Sequence, residues 1–179
     1  MIMAGRCNAI IVLGLGFLTL ACSRQQVFKP VGYQWPVRKG EIASWKHGVL
    51  PDGNLESHFE IFTDGVVRRN VGGRSIPSIL VRLSVANRTN HELTLDGAQS
   101  HLMDNRGRLF QVGAVISNGA PGLFCRLRPQ SHALIDLFYD VPRGVDPKSI
   151  SSFTVHWRYT VDGQPFTQSA VFERGYAVD

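Results

Sequence analysis

The chain contains none of the short motifs that mark common catalytic centres. It has no Gly-x-Ser-x-Gly elbow and no His-Glu-x-x-His helix, and its six histidines are scattered. The glycines at 14, 16, 72 and 73 lack the strand-to-helix context of a phosphate loop or a dinucleotide fingerprint. We therefore expect a protein that is not an enzyme and that uses no cofactor.

A sustained helical period is also missing. Only residues 147–150 could form a single helical turn. From about Glu41 to Glu173, short alternating apolar and polar segments end at Gly, Asn, Asp or Pro, which is typical of β-strands. This pattern predicts an all-β fold, an immunoglobulin-like antiparallel β-sandwich of about nine strands.

Individual segments predict strands and turns. Residues 58–62 and 66–68 flank Asp64-Gly65, a dipeptide suited to a tight hairpin turn. On the strand 152–161, Trp157 alternates with polar neighbours and is our leading core residue. The other predicted strands are residues 79–87, 91–95, 98–103, 108–112, 132–141 and 166–172.

Concentrated charge is absent as well. The formal net charge is +5, and the basic residues are scattered, with pairs such as Arg38-Lys39 and Arg68-Arg69 as the densest groups. Nucleic-acid-binding surfaces usually show a basic stripe or face. We therefore expect no nucleic-acid partner.

No apolar run is long enough to cross a bilayer. Arg6 precedes a mostly apolar stretch at residues 9–20, whereas about 20 residues are needed to span the hydrocarbon core. A single basic residue, a short apolar run and a small residue, Ala21, before Cys22 are typical of an export signal. The sequence therefore predicts cleavage of residues 1–21.

The cleavage site carries a resemblance to a known class of proteins. Thr19-Leu20-Ala21-Cys22 resembles the lipobox of bacterial lipoproteins, which implies that Cys22 is lipidated. Ser23 resembles a residue that permits outer-membrane sorting in Gram-negative bacteria, so we expect an outer-membrane anchor and a domain facing the periplasm. Residues 19–21 also fit an ordinary signal-peptidase site, which would release a soluble periplasmic protein.

Cysteine is too scarce for an internal disulfide. With Cys7 in the signal and Cys22 acylated, Cys125 has no partner in the mature chain, and we expect it to be a small core or edge residue. The stability of the domain must then come from packing.

The domain organisation follows from these boundaries. We expect a lipoprotein signal peptide at 1–21, a flexible lipidated tether at 22–40 and a β-sandwich domain at 41–179. Phe28, Tyr33 and Trp35 are unusually apolar for a free linker, so part of the tether is expected to pack on its own domain.

A second resemblance concerns the domain itself. Residues 81–112 and 127–142 are similar to small immunoglobulin-like domains of bacterial lipoproteins and secreted antigens, and the resemblance implies a fold without assigned chemistry. The matching positions are Asn87, Asp104, Gly107, Phe110, Pro129 and Tyr139-Asp140-Val141-Pro142.

One segment is a candidate binding element. Residues 113–124 are weakly polar and rich in glycine, and we interpret them as a long loop that either packs on the core or contacts a partner. Ile116, Leu123 and Phe124 are the candidate contact residues. We expect a non-catalytic binding or structural module that contacts the membrane through its anchor and another envelope protein through this segment.

Two alternatives remain open. His101 and Met103 share a strand face and could serve a periplasmic copper carrier, but Met103 is the only methionine after the signal, and we predict no metal site. An accessory lipoprotein of a secretion or pilus machine, similar to a pilotin, would differ from the main hypothesis only in its partner.

Overall fold

Antiparallel β-strands make up most of the part of the chain that the structure describes. This computed structural model describes residues 27–31, 43–46 and 57–175. The strands are β1 (Val27–Pro30), β2 (Ala43–Lys46), β3 (His58–Val71), β4 (Arg74–Asn87), β5 (Leu93–Asp104), β6 (Leu109–Ser117), β7 (Ala120–Pro121), β8 (Phe124–Leu127), β9 (Ser131–Asp140), β10 (Ser152–Val161) and β11 (Gln164–Gly175). One 3₁₀ turn, Pro147–Ser149, forms where the sequence predicts a single turn. The all-β prediction is confirmed.

The strands form one curled sheet that folds over into two layers. Their order is β1-β11-β10-β5-β6-β9-β4-β3-β2, with β7 added to β6 and β8 added to β5. Strand β6 belongs to both layers, because its first residues pair with β5 and its later residues pair with β9. The pairing shifts at Gly113, where a bulge lets β6 pass between the layers. The result is sandwich-like, as predicted, with the layers joined through β6.

The core lies between the two layers. Trp157 on β10 is fully buried, which confirms its predicted place, and its ring centroid is 6.3 Å from that of Phe59 on β3. Tyr159 lies 4.7 Å from the same Phe59 ring. Alternate residues of β10 are therefore buried because they face the opposite layer, as the period of two requires.

The turn predicted at Asp64-Gly65 is wrong. Strand β3 runs through both residues, and the pairing with β4 only shifts between Thr63 and Gly65. The Thr63 hydroxyl bridges this bulge, since it accepts from the Gly65 amide at 3.0 Å and donates to the carbonyl of Leu80 at 2.6 Å. The chain reverses instead at residues 72–73, where two consecutive glycines adopt φ of +54° and +76°.

The sheet includes residues from the predicted tether. Strand β1 pairs with β11, and Val27 lies opposite Gly175. Phe28 is only 4% exposed, and its ring centroid is 4.9 Å from that of Phe153. Part of the segment 22–40 thus packs on the domain, as expected. Cys22, the signal segment, Tyr33 and Trp35 lie outside the described residues.

Candidate functional site

The segment 113–124 is a β-hairpin, and not the long loop that its composition suggests. Residues up to Ser117 continue β6, Asn118 and Gly119 turn with φ of +47° and +83°, and β7 pairs back on β6. An Asn-Gly dipeptide between segments that alternate in polarity is the strongest short signal for a hairpin. Asn118-Gly119 is therefore the sequence feature that could have predicted this one. The segment is thus held by backbone hydrogen bonds.

The three candidate contact residues differ in exposure and in their place in the sheet. Ile116 is half-buried and pairs with Pro121 and Asp136 in the layer of β9, whereas β8 joins the layer of β5. Leu123 and Phe124 are 56% and 59% exposed. We call these two residues the apolar ridge.

A close backbone approach fixes the apolar ridge in place. The amide of Gly97 donates to the carbonyl of Leu123 at 2.8 Å, and a Cβ added at Gly97 would lie 2.9 Å from that same oxygen. Only glycine lets the strands come this close. The amide of Gly122 also donates to the carbonyl of Val115 at 3.1 Å. The ridge is therefore an exposed apolar pair on a rigid support.

A pair of imidazoles occupies the outer face of the β5–β10 layer. His101 lies directly opposite His156, and their rings stack with centroids 4.8 Å apart and planes 19° apart. Met103 follows on the same face and is 39% exposed. Burial, and next the charge of His101, lower the pKa of His156, a shift that favours the neutral imidazole over the charged one.

His156 is one of the polar neighbours of Trp157 on its strand, but its contact with His101 could not be predicted, because register between distant strands is not visible in a single sequence. Among the residues that the structure describes, no group of three or more His, Cys, Asp or Glu side chains could hold a metal ion. Any metal at the imidazole pair would therefore depend on the thioether of Met103.

Asp140 organises a hydrogen-bonded cluster near the β6 bulge. Its two carboxylate oxygens accept from Arg69 at 2.8 Å each, and Oδ1 also accepts from the hydroxyl of Ser78 at 2.8 Å. A Cβ at Gly113 would overlap this carboxylate. Asp140 on β9 thus bonds to β3 and β4 and packs closely against the backbone of β6, which is a structural role.

A serine and a histidine approach each other on the same layer. Ser84 Oγ lies 3.0 Å from Nε2 of His132, the separation of a nucleophile and its base. Asp136, four residues after His132 on β9, accepts from Nε of Arg82 at 3.0 Å. The carboxylate therefore neutralises Arg82 instead of orienting the imidazole as a catalytic triad requires.

Cys125 is a core residue, as expected. It is buried and unbridged, and its Sγ lies 3.0 Å from the hydroxyl of Ser117. Burial raises the pKa of this thiol, and the contact with Ser117 only partly opposes that rise. A protonated buried thiol is a poor nucleophile.

Comparison with known proteins gives no match to a protein family, to a curated protein or to a solved structure. No helix within residues 27–31, 43–46 and 57–175 is long and apolar enough to cross a membrane.

Proposed function

We propose that this protein is a lipid-anchored protein of the bacterial outer membrane that acts, without catalysis, as a binding or structural module for another envelope protein. The lipobox-like residues ending at Cys22 support the anchor. The observation that supports binding is the apolar ridge, in which Leu123 and Phe124 are more than half exposed on a support held by Gly97.

The ridge suits protein recognition for an energetic reason. Burying a Leu or Phe side chain contributes about 1.5–3 kcal/mol, and a rigid support means that little chain entropy is lost on binding. In the described residues β8 pairs only with β5, so its other edge offers main-chain groups beside the ridge. A partner could add a strand there while covering Leu123 and Phe124.

Charge substitution at the ridge tests the binding role. We expect Leu123→Asp to abolish capture of the crosslinked partner from the native envelope, read by mass spectrometry. Leu109→Asp is the matched control, because Leu109 is 55% exposed on another strand. Equal capture of the partner by both variants would show that the apolar ridge is not the binding surface. The identity of the captured protein also separates a general envelope module from an accessory of a secretion or pilus machine.

Metabolic labelling tests the anchor. A fatty-acid analogue is expected to label the wild type and to leave Cys22→Ser unlabelled, with the variant lost from the outer-membrane fraction. An unlabelled wild type, or a Cys22→Ser variant that matures and localises normally, would contradict the proposed anchor.

The imidazole pair supports a second candidate, a periplasmic copper carrier. His101, His156 and Met103 share one exposed face, and two imidazoles with a thioether are ligands that copper accepts. We expect stoichiometric copper retention that is lost in His101→Ala and in His156→Ala but kept in His132→Ala. A purified wild-type protein that binds no copper in titration would eliminate this candidate.

A further inference from the structure

The first strand of the domain begins very close along the chain to the proposed lipidation site. Val27 is the fifth residue after Cys22. A fully extended chain covers at most about 3.6 Å per residue, so Val27 lies within about 18 Å of Cys22. Because Val27 pairs with Gly175 and Phe28 is buried against Phe153, this end of the sheet cannot move far from the anchor.

Two turns are attached to that same end of the sheet. The residues after β5 lie beside the start of β10, since the amide of Asn105 donates to the carbonyl of Ser152 at 3.0 Å. The 3₁₀ turn is joined to them through Arg108, whose Nη2 lies 3.4 Å from the hydroxyl of Ser149. Residues 105–108 and 142–149 therefore form one continuous surface.

Arg174 joins this surface to β1. Its Nη2 donates to the carbonyls of Lys148, at 2.6 Å, and of Ile150. Its guanidinium also lies 6.0 Å from the centroid of the Phe28 ring. The strand nearest the anchor and the two turns are thus fixed to each other.

The β3–β4 hairpin projects on the same side. Strand β9 pairs with β4 up to Asp140 opposite Ser78, and the amide of Val141 still donates to the carbonyl of Pro77. Beyond that point β3 and β4 pair only with each other within the described residues, up to Val71 opposite Arg74. The hairpin tip therefore extends past the end of β9, where the segment 142–149 begins. We call the hairpin tip (residues 68–77), residues 104–108 and 140–151, and residues 173–174 the basal end.

Basic side chains dominate the exposed surface of the basal end. Two acidic side chains, Asp104 and Asp140, are already held by Arg108 and Arg69. Among the described residues of the basal end, only Asp146 and Glu173 remain as exposed acids. The exposed basic side chains are Arg68, Arg74, Arg106, Arg143 and Lys148.

At the opposite end of the sheet, the numbers of acidic and basic side chains are closer to each other. Glu92 and Asp162 lie there, and the carbonyl of Glu92 accepts from the amide of Asp162 at 3.4 Å. Strand β10 separates this end from the basal end by about 30 Å, since a strand rises about 3.3 Å per residue. The basic residues of the opposite end are Arg88, Arg126 and Arg128.

From the short anchor link and the charge of the basal end, we infer that the basal end is a membrane-contacting surface that lays its Arg and Lys side chains on anionic phospholipid headgroups. The inference rests on the proposed lipidation of Cys22. Each Lys or Arg near an anionic membrane surface raises affinity roughly fivefold. Attraction falls off over about 8 Å at physiological salt, so only side chains held close to the bilayer contribute. The domain would then stand on the membrane with the opposite end facing the periplasm.

Fluorescence quenching by lipid headgroups tests the orientation of the intact lipoprotein. A fluorophore is attached at Ser151→Cys, in the basal end, or at Glu92→Cys, in the opposite end, both in a Cys125→Ser background. The proteins are reconstituted into vesicles of phosphatidylethanolamine and phosphatidylglycerol that contain a headgroup spin label, and into phosphatidylcholine vesicles with the same label. We expect at least twofold stronger quenching at position 151 than at position 92 in the anionic vesicles.

Charge reversal tests whether the basic side chains cause the contact. Arg106→Glu with Lys148→Glu is expected to remove the extra quenching that anionic vesicles produce at position 151. Arg88→Glu with Arg128→Glu makes the same charge change at the opposite end and is expected to leave that quenching unchanged. Circular dichroism serves as the control that both double variants fold.

The outcomes separate this inference from the function on which it rests. A protein without bound fatty acid by mass spectrometry, which does not float with vesicles, would refute the anchor itself. A protein that is acylated and floats, but shows equal quenching at both positions or no response to Arg106→Glu with Lys148→Glu, would refute only the membrane-contacting surface.

Discussion

Replacement of Asp104 by Asn should destabilise the domain more than the same change at the exposed Asp146. The side chain of Asp104 is fully buried at the end of β5. Its Oδ1 accepts from the amides of Arg106 and Arg108, each at 2.9 Å, and its Oδ2 accepts from Nε of Arg108 at 2.7 Å. Burial alone would raise the pKa of Asp104, but these hydrogen bonds and the charge of Arg108 lower it.

The magnitude follows from this geometry. Loss of one partner from a buried ion pair costs about 3–5 kcal/mol. The Arg108 side chain is 29% exposed and can regain water, so we place the cost of Asp104→Asn nearer 2–3 kcal/mol. For a domain of this size, that corresponds to a decrease in Tm of roughly 6–12 °C. Asp146→Asn is the control, because Asp146 is an exposed cap of the 3₁₀ turn and Asn caps about as well as Asp.

The pH dependence has a definite sign. Because the folded-state pKa of Asp104 lies below its usual value of 3.8, its stabilisation is fully present above that pH and is lost as pH falls through the folded-state pKa. The difference between wild type and Asp104→Asn, measured by urea unfolding, should therefore be full at pH 7 and shrink toward pH 3. A cost below about 0.5 kcal/mol at pH 7, or an unchanged cost at pH 3, would refute the reasoning.

Three further predictions concern the core and the β6 bulge. Gly113→Ala should lower the free energy of unfolding in urea by about 1–3 kcal/mol, because its Cβ would overlap the Asp140 carboxylate. Gly122→Ala is the control and should be close to neutral, because its Cβ would meet nothing nearer than 3.6 Å. Equal costs for the two variants would contradict the overlap. Trp157→Ala should cost about 3–5 kcal/mol because the fully buried ring fills the space between the layers, and a cost under 1 kcal/mol would mean that the site is not core. Cys125 should resist alkylation by iodoacetamide at pH 8 until urea unfolds the domain, since burial raises its pKa; fast labelling of the native protein would contradict this.

Periodicity in the sequence was sufficient to predict the strands that have one buried face. Residues 152–161 were predicted as a strand with Trp157 inside, and β10 has those bounds. The reason is physical: a half-buried strand alternates with a period of two, so its fold class and its inward residues are visible in local order alone.

Turns were predicted less well, because the same dipeptide serves different backbone geometries. Asp64-Gly65 was predicted to be a turn, but Gly65 uses its positive φ of 73° in a bulge of β3. The composition of residues 113–124 predicts a loop at Asn118-Gly119, yet this dipeptide closes a hairpin. Both a bulge and a hairpin turn need a left-handed residue, and only the pairing of the flanking strands distinguishes them.

The sequence by itself determined the all-β class, the inward residues of the strands and the motif ending at Cys22 on which the proposed anchor rests. Only the tertiary structure decided which distant residues meet: His101 with His156, Arg174 with Phe28, and Arg69 with Asp140. These contacts depend on strand order and register, which are set by packing across the whole sheet and leave no local pattern in the chain.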